Sequence, residues 1–183
     1  MAAVSPLAVP LPALPPIAGI RLGAVAAGLR YQGRPDLMMA AFAPGTTVAG
    51  VFTRNLCPGV PVAWCRAALK GGKARGLLVN AGNANVFTGA AGRAVAKASA
   101  EAAAGLLGCP ARQVFLASTG VIGQVPQAEP LLAALPGLHA ALAEEGWADA
   151  AHGIMTTDTF PKAATRTAPI ERTEVRPPGL AQG

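Results

Sequence analysis

The alanine-rich run from Gly89 to Leu107 constrains the fold more than any other stretch of this chain. Small residues lie nearly all round it, and Val95, Ser99, Ala102 and Leu106 recur at helical spacing. Gly108 suits the residue just past a helix end, and Pro110 cannot continue one. A helix over 89–107 is therefore expected, with side chains small enough to pack closely on a sheet or a second helix. Short apolar runs flank it, Gly76–Val79 before and Gln113–Ser118 after, both readable as buried strands. Strand, loop, long helix, strand is an α/β rhythm.

The remaining elements are shorter. Ile20–Leu29 alternates loosely around Gly23 and Gly28, as an edge or bulged strand does. A turn at Arg34-Pro35-Asp36 leads to two expected strands, Leu37–Phe42 and Val48–Thr53, joined at Pro44-Gly45. Trp64–Leu69 reads as a short helix stopped by Gly71-Gly72. Pro130–Leu135 and Leu138–Glu145 read as two amphipathic helices separated by Pro136-Gly137, and Trp147–His152 as a helical turn. Thr165–Val175 alternates charged and small residues, as an exposed strand would, until Pro177-Pro178 breaks it. Neither a repeat nor a linker divides the chain, so 1–183 reads as one domain. Within it, 1–17 is an extended arm with prolines at 6, 10, 12, 15 and 16, and 176–183 is a tail.

Hydrophobic residues make up 52% of the chain but aromatics only 4%, so the core must be built from Ala, Val, Leu and Ile. This composition is globular, not disordered. The net charge of +6 is spread over single basic residues such as Arg21, Arg30, Arg54, Lys70, Lys73 and Arg75. No basic stripe interleaved with aromatics appears, so nucleic-acid binding is not expected. An acidic small substrate, an acidic partner or plain solubility accounts for the surplus. No proline-free apolar stretch is long enough to span a membrane, and no basic start precedes an apolar run as in a secretory signal. Cys57, Cys65 and Cys109 form no CxxC pair, and His139 and His152 sit in no ligand motif. Reduced thiols in a cytoplasmic protein are expected, and a metal site is not.

The first candidate for chemistry is Leu116-Ala117-Ser118-Thr119-Gly120-Val121-Ile122-Gly123. A strand that ends in a turn of small residues can aim a hydroxyl and a bare glycine N–H at one point, which is what a developing oxyanion needs. A plain tight turn accounts for the same string. Asn80–Asn85 reads either as an asparagine-stabilised turn or as a set of substrate contacts. Thr156-Thr157-Asp158-Thr159 before Pro161 suits a cap or turn, and Lys162 reads as solvated, the alternative being a contact to a substrate carboxylate. Acyl transfer also needs a nucleophile and a base. The serines are Ser5, Ser99 and Ser118, no G-x-S-x-G elbow is present, and Met1-Ala2-Ala3 offers no N-terminal nucleophile. At most half an active site is encoded here.

Four strings stand in order along the chain: Val51-Phe52-Thr53-Arg54-Asn55, Asn80–Asn85, the Ser118-Thr119-Gly120 stretch, and Ile154-Met155-Thr156-Thr157-Asp158-Thr159-Phe160-Pro161-Lys162. Together, from about Ile17 to the C-terminus, they resemble the ornithine acetyltransferase family of arginine biosynthesis, also called glutamate N-acetyltransferase. The resemblance implies a layered α/β sandwich of sheets and helices, of the self-cleaving ornithine acetyltransferase/aminopeptidase type. It implies ping-pong transfer of acetyl from N-acetylornithine to glutamate with no cofactor, and it leaves acetyl-CoA open as a co-substrate. Members are made as a precursor that cuts itself before a threonine. That threonine's hydroxyl is the nucleophile and its α-amine, with an ordinary pKa of about 8, is the base. By this resemblance the chain is the α part, joined to a β chain in a cytoplasmic α2β2 heterotetramer.

Residue by residue, Thr119 and Gly120 match the family's oxyanion pair, and Thr157 matches a substrate-binding position. Gly179-Leu180-Ala181-Gln182-Gly183 matches a Gly-Ile-Ala-Lys-Gly-like segment. Gln182 therefore stands where the family has a substrate-contacting lysine, keeping hydrogen bonds but losing the charge. The family's Met-Ala-Thr cleavage string does not occur in these residues, so the chain is expected to stop short of the scissile bond. Two other classes remain open: a self-processing aminopeptidase or amidohydrolase of related fold, and a non-catalytic α/β binding module.

Overall fold

Every residue of β2 (Leu37–Phe42) is apolar, which is what a strand covered on both faces requires. Alternation turns Leu37, Met39 and Ala41 to one side and Met38 and Ala40 to the other, and all five are buried. The computed structural model describes residues 4–171 and 173–182. In it β1 (Ile20–Val25) and β3 (Gly76–Asn83) pair antiparallel with β2, and β4 (Val114–Val121) pairs parallel with β3, in the order β1-β2-β3-β4. Val48–Thr53 forms no strand, because both edges of β2 are already taken.

A parallel pair needs a crossover, and α2 (Gly89–Leu107) supplies it. Gly108 ends the helix at φ 61° and ψ 47°, its N–H bonded to the carbonyls of Ala104 and Gly105. Together α2 and α3 (Ala128–Ala140) cover the face carrying Leu37, Met39 and Ala41. Of the expected stripe Ser99 is buried, but the other buried positions of α2 are Gly92, Ala96, Ala100, Ala103, Ala104 and Leu107, so the contact face is turned from Val95, Ala102 and Leu106. Alanines let the helix sit close, so they mark its contact face better than the bulkier residues do. The 130–145 region is not two helices: α3 continues through Pro136. Leu131, Leu135 and Leu138 keep one buried stripe on both sides of the proline, and that packing offsets the lost N–H.

Both outer edges of the sheet are occupied. Beyond α3, Leu22 N–H donates to Ala143 O at 2.8 Å and Ala143 N–H returns a bond at 3.0 Å, closing β1. At the other edge lies α1 (Val60–Leu69), which starts before Trp64 because Pro61 suits a first turn. Its Trp64 Nε1–H donates to Val114 O at 2.9 Å, and Cys65 Sγ donates to Leu116 O at 3.1 Å and accepts from Leu116 N–H at 3.3 Å. Side chains thus satisfy the outward groups of Val114 and Leu116, at the start of β4, that no fifth strand pairs.

On the second face α4 (Trp147–Gly153) packs Trp147 and Ala150, with Ile154, against Leu22, Met38, Ala40 and Val79. Leu14, Ile17 and Leu180 join that cluster. Two small antiparallel pairs follow: β5 (Lys162–Thr165) with β8 (Pro178–Ala181), and β6 (Ala168–Ile170) with β7 (Thr173–Val175). The stretch expected as one strand over 165–175 is therefore a hairpin, with φ 55° at Glu171 in its turn. Pro178 opens a strand instead of ending one, and that first position tolerates its missing N–H. Among the described residues no helix is long and apolar enough to cross a membrane.

Candidate functional site

The Ser-Thr-Gly string lies inside β4, not in a turn after it. Strand alternation therefore separates its side chains. Ser118 turns to the α2/α3 face, where its Oγ donates to Asn80 Oδ1 at 2.5 Å, and Asn80 Nδ2 donates to Asn83 O at 2.8 Å. Thr119 turns to the opposite face and lines a cavity of about 440 Å³. The floor of that cavity is apolar, with Leu22, Met38, Ala40, Phe42, Leu77 and Val79. Trp147, Ile154 and Leu180 form its wall, and Gln182 stands at its polar end beside Thr119.

Gly120 is the register partner of Gly82 across the parallel pair. Its φ is 130°, and a Cβ there would sit 2.2 Å from the Gly82 carbonyl carbon. No other residue fits. Val121 O accepts from Ala84 N–H at 2.9 Å, so odd-numbered peptide groups of β4 face β3. Leu116 bonds outward to Cys65 through both its N–H and its carbonyl. The two-residue period then puts the Gly120 N–H on the outer edge as well. The Thr119 side chain on the open face and the Gly120 N–H on that edge thus flank one corner of the sheet.

Gln182 reaches this corner from β8. Its Nε2 donates to Thr119 Oγ1 at 2.7 Å and to Thr156 Oγ1 at 2.8 Å. A threonine hydroxyl that accepts from an amide keeps its own proton for donation elsewhere. Thr157, the residue singled out in the sequence, is exposed, and its neighbour Thr156 makes the contact. The Thr156 N–H donates to Asp158 Oδ2 at 3.1 Å. Lys162 is not simply solvated: its ammonium pairs with the Asp158 carboxylate, whose side chain is 1% exposed, and lies 4.7 Å from the Phe160 ring centroid. The paired ammonium offsets the cost of burying that carboxylate.

Asn80, Asn83 and Asn85 are committed to internal bonds. Asn83 Oδ1 accepts from Asn85 N–H at 2.8 Å, and its Nδ2 donates to Gln124 O at 2.8 Å. Asn85 Oδ1 accepts from Thr88 Oγ1 at 2.6 Å, and Nδ2 donates to Gly92 O at 3.1 Å, bracing the start of α2. Neither histidine lines the cavity. All three cysteines are free, and burial pushes the Cys65 thiol up, with the Leu116 N–H bond opposing it. Among the described residues no group of three or more His, Cys, Asp or Glu is placed to hold a metal.

Residues 21–183 match the ArgJ family. The chain is 63% identical over 180 residues to the arginine biosynthesis bifunctional protein ArgJ of Gluconobacter oxydans, covering 98% of this chain and 42% of that protein. It is 50% identical over 186 residues to the ArgJ protein of Nitrobacter winogradskyi, covering 99% and 45%. The chain thus spans less than half the length of these curated relatives. Among solved structures it is similar to the ornithine acetyltransferase of Mycobacterium tuberculosis complexed with ornithine. The TM-score is 0.83 at 35% identity, covering 92% of this chain and 89% of that one. The ArgJ protein of Bacillus halodurans gives 0.83 at 25% identity, covering 91% and 87%. The α/β architecture expected from the sequence is the one these structures share.

Proposed function

The chain belongs to the ArgJ family, and we propose that it is the α chain of an ornithine acetyltransferase that moves acetyl from N-acetylornithine to glutamate. The observation that carries this reading is the Thr119 hydroxyl at the rim of an apolar cavity, with the Gly120 N–H on the adjoining edge. The nucleophile is a threonine at the start of a β chain cut from the same precursor. Its oxygen bonds to the acetyl carbon while its proton passes to its own α-amine. The carbonyl oxygen takes the negative charge and sits between Thr119 Oγ1 and Gly120 N, each donor lowering the barrier by about 3 kcal/mol. The C–N bond then breaks, ornithine leaves with that proton, and acetyl stays on the threonine. Glutamate's amine attacks next, and the same steps run in reverse.

Two further facts support a second chain. Among the described residues the cavity lining includes no charged side chain, which fits a base and substrate-recognising charges supplied by a second chain. The chain covers 89% of the solved ornithine acetyltransferase chain but only 42% of the Gluconobacter protein, so that solved chain is itself much shorter than the Gluconobacter protein. On the α side, Thr156 and Gln182 are the substrate-facing polar groups, with Thr157 one residue away, and the working assembly is α2β2. Acetyl-CoA is an alternative donor to the same threonine.

The test is an acetyl-transfer assay on the assembled α and β chains, with N-acetylornithine or acetyl-CoA as donor and free acetate followed in parallel. Acetylglutamate formation is the expected result. Release of acetate alone would assign the site to an amidohydrolase. Neither product would remove the enzyme reading.

A further inference from the structure

The loop between β1 and β2 is held from within. Asp36 has no exposure, and its carboxylate accepts from the N–H groups of Ala27 and Leu29 at 2.7 Å each and of Arg30 at 3.2 Å. From this braced loop Arg34 crosses to the segment after α4. Its Nη2 donates to Met155 O at 2.7 Å and to Thr156 O at 3.1 Å. The guanidinium lies over the Tyr31 ring, 3.7 Å from its centroid. Its Nε is buried without an acceptor among the described residues, an arrangement that lowers stability. Such local compromises concentrate where function, not stability, decides the geometry.

We propose that Arg34 is a positioning residue for Thr119, an assignment that rests on the oxyanion role given to Thr119 above. Arg34 grips the carbonyls on both sides of the Thr156 nitrogen and side chain, while Asp158 holds the Thr156 N–H. Thr156 is thereby fixed, and its hydroxyl shares the Gln182 amide with Thr119. That amide selects one rotamer of the Thr119 hydroxyl and leaves its proton aimed away from Gln182, towards the cavity corner. With the grip released, Thr156 and Gln182 shift together. The Thr119 hydroxyl then samples other staggered wells and meets the oxyanion for only part of the time. Because the oxyanion exists only in the transition state and intermediate, the loss falls on kcat.

The experiment is a double-mutant cycle in the assembled α and β chains. Arg34→Met lowers kcat about tenfold with KM within about twofold, and the loss disappears in the Thr119→Ala background, where no hydroxyl remains to position. Arg34→Lys keeps donors for both carbonyls and recovers most of the activity. Hydrogen exchange across residues 154–158, followed without turnover, rises in Arg34→Met and returns in Arg34→Lys. An unchanged kcat, or an equal loss in both backgrounds, overturns the proposal. So does unchanged exchange across 154–158. If Arg34→Met does not assemble, Arg34→Gln completes the cycle with the same expectations. A wild-type assembly without acetyl transfer would fail the functional reading alone, and the exchange measurement would still decide whether Arg34 grips Thr156.

Discussion

The two faces of the four-stranded sheet come from the same strands and differ in what finishes them. On one, α2 and α3 close over β2, β3 and β4, and Ala100 and Leu138 have no exposure at all. On the other, α4 covers only the Leu22, Met38 and Val79 region, and a cavity of about 440 Å³ remains in front of Phe42, Leu77, Ala117 and Thr119. Adjacent residues of β4 show the consequence. Ser118, on the closed face, commits its hydroxyl to Asn80, whereas Thr119, on the open face, accepts a bond and keeps its proton. The two-residue period of a strand lets one segment serve stability on one side and chemistry on the other.

The largest expected difference between the faces is in stability. Leu138→Ala empties a fully buried site between α3 and the sheet and should cost about 3 kcal/mol. Leu180→Ala, at the wall of the open cavity, should cost less than about 1 kcal/mol because that side chain is already part-exposed. Denaturant unfolding of both variants checks this, and equal losses would erase the distinction. The smallest effect is at the β4 edge. The Cys65 thiol, raised above its ordinary 9.0 by burial, holds its proton more tightly folded than unfolded. Its contribution is therefore complete below about pH 9 and is lost as pH rises through that value towards the folded pKa. Cys65→Ala should flatten the fall in unfolding free energy between about pH 8 and about pH 10. Cys109, raised by burial against the pull of Arg75, leaves a residual slope of the same sign.

What could be read from the sequence was whatever is local. The ends of α2 and the role of Gly108 follow from residues within one helical turn, and both stand as expected. Thr119 was legible because four strings along the chain resemble one family, and the family match bears that recognition out. What failed depended on distant neighbours. The continuation of β4 through Gly120 needs Gly82 opposite it, a pairing that only the parallel register creates. Thr156 and Thr157 are indistinguishable in sequence, and the Gln182 amide, 26 residues beyond Thr156, bonds the Thr156 hydroxyl, a contact no local pattern marks. Arg34 lies 121 residues from the carbonyl it grips, and no local pattern marks it. The unbroken α3 was hidden because Pro136 is a strong local signal, overridden by a leucine stripe buried against the sheet.

Thr119→Ala removes the hydroxyl that the open face is proposed to offer to the oxyanion. Steady-state acetyl transfer should be measured on the fully processed assembly, with Thr119→Ser alongside. Thr119→Ala should lower kcat by about 100-fold while KM moves little, because the bond forms only to the charged oxygen. Thr119→Ser, which keeps the hydroxyl, should retain much of the wild-type rate. A kcat for Thr119→Ala within about twofold of wild type would remove Thr119 from the mechanism and leave the open face without its donor.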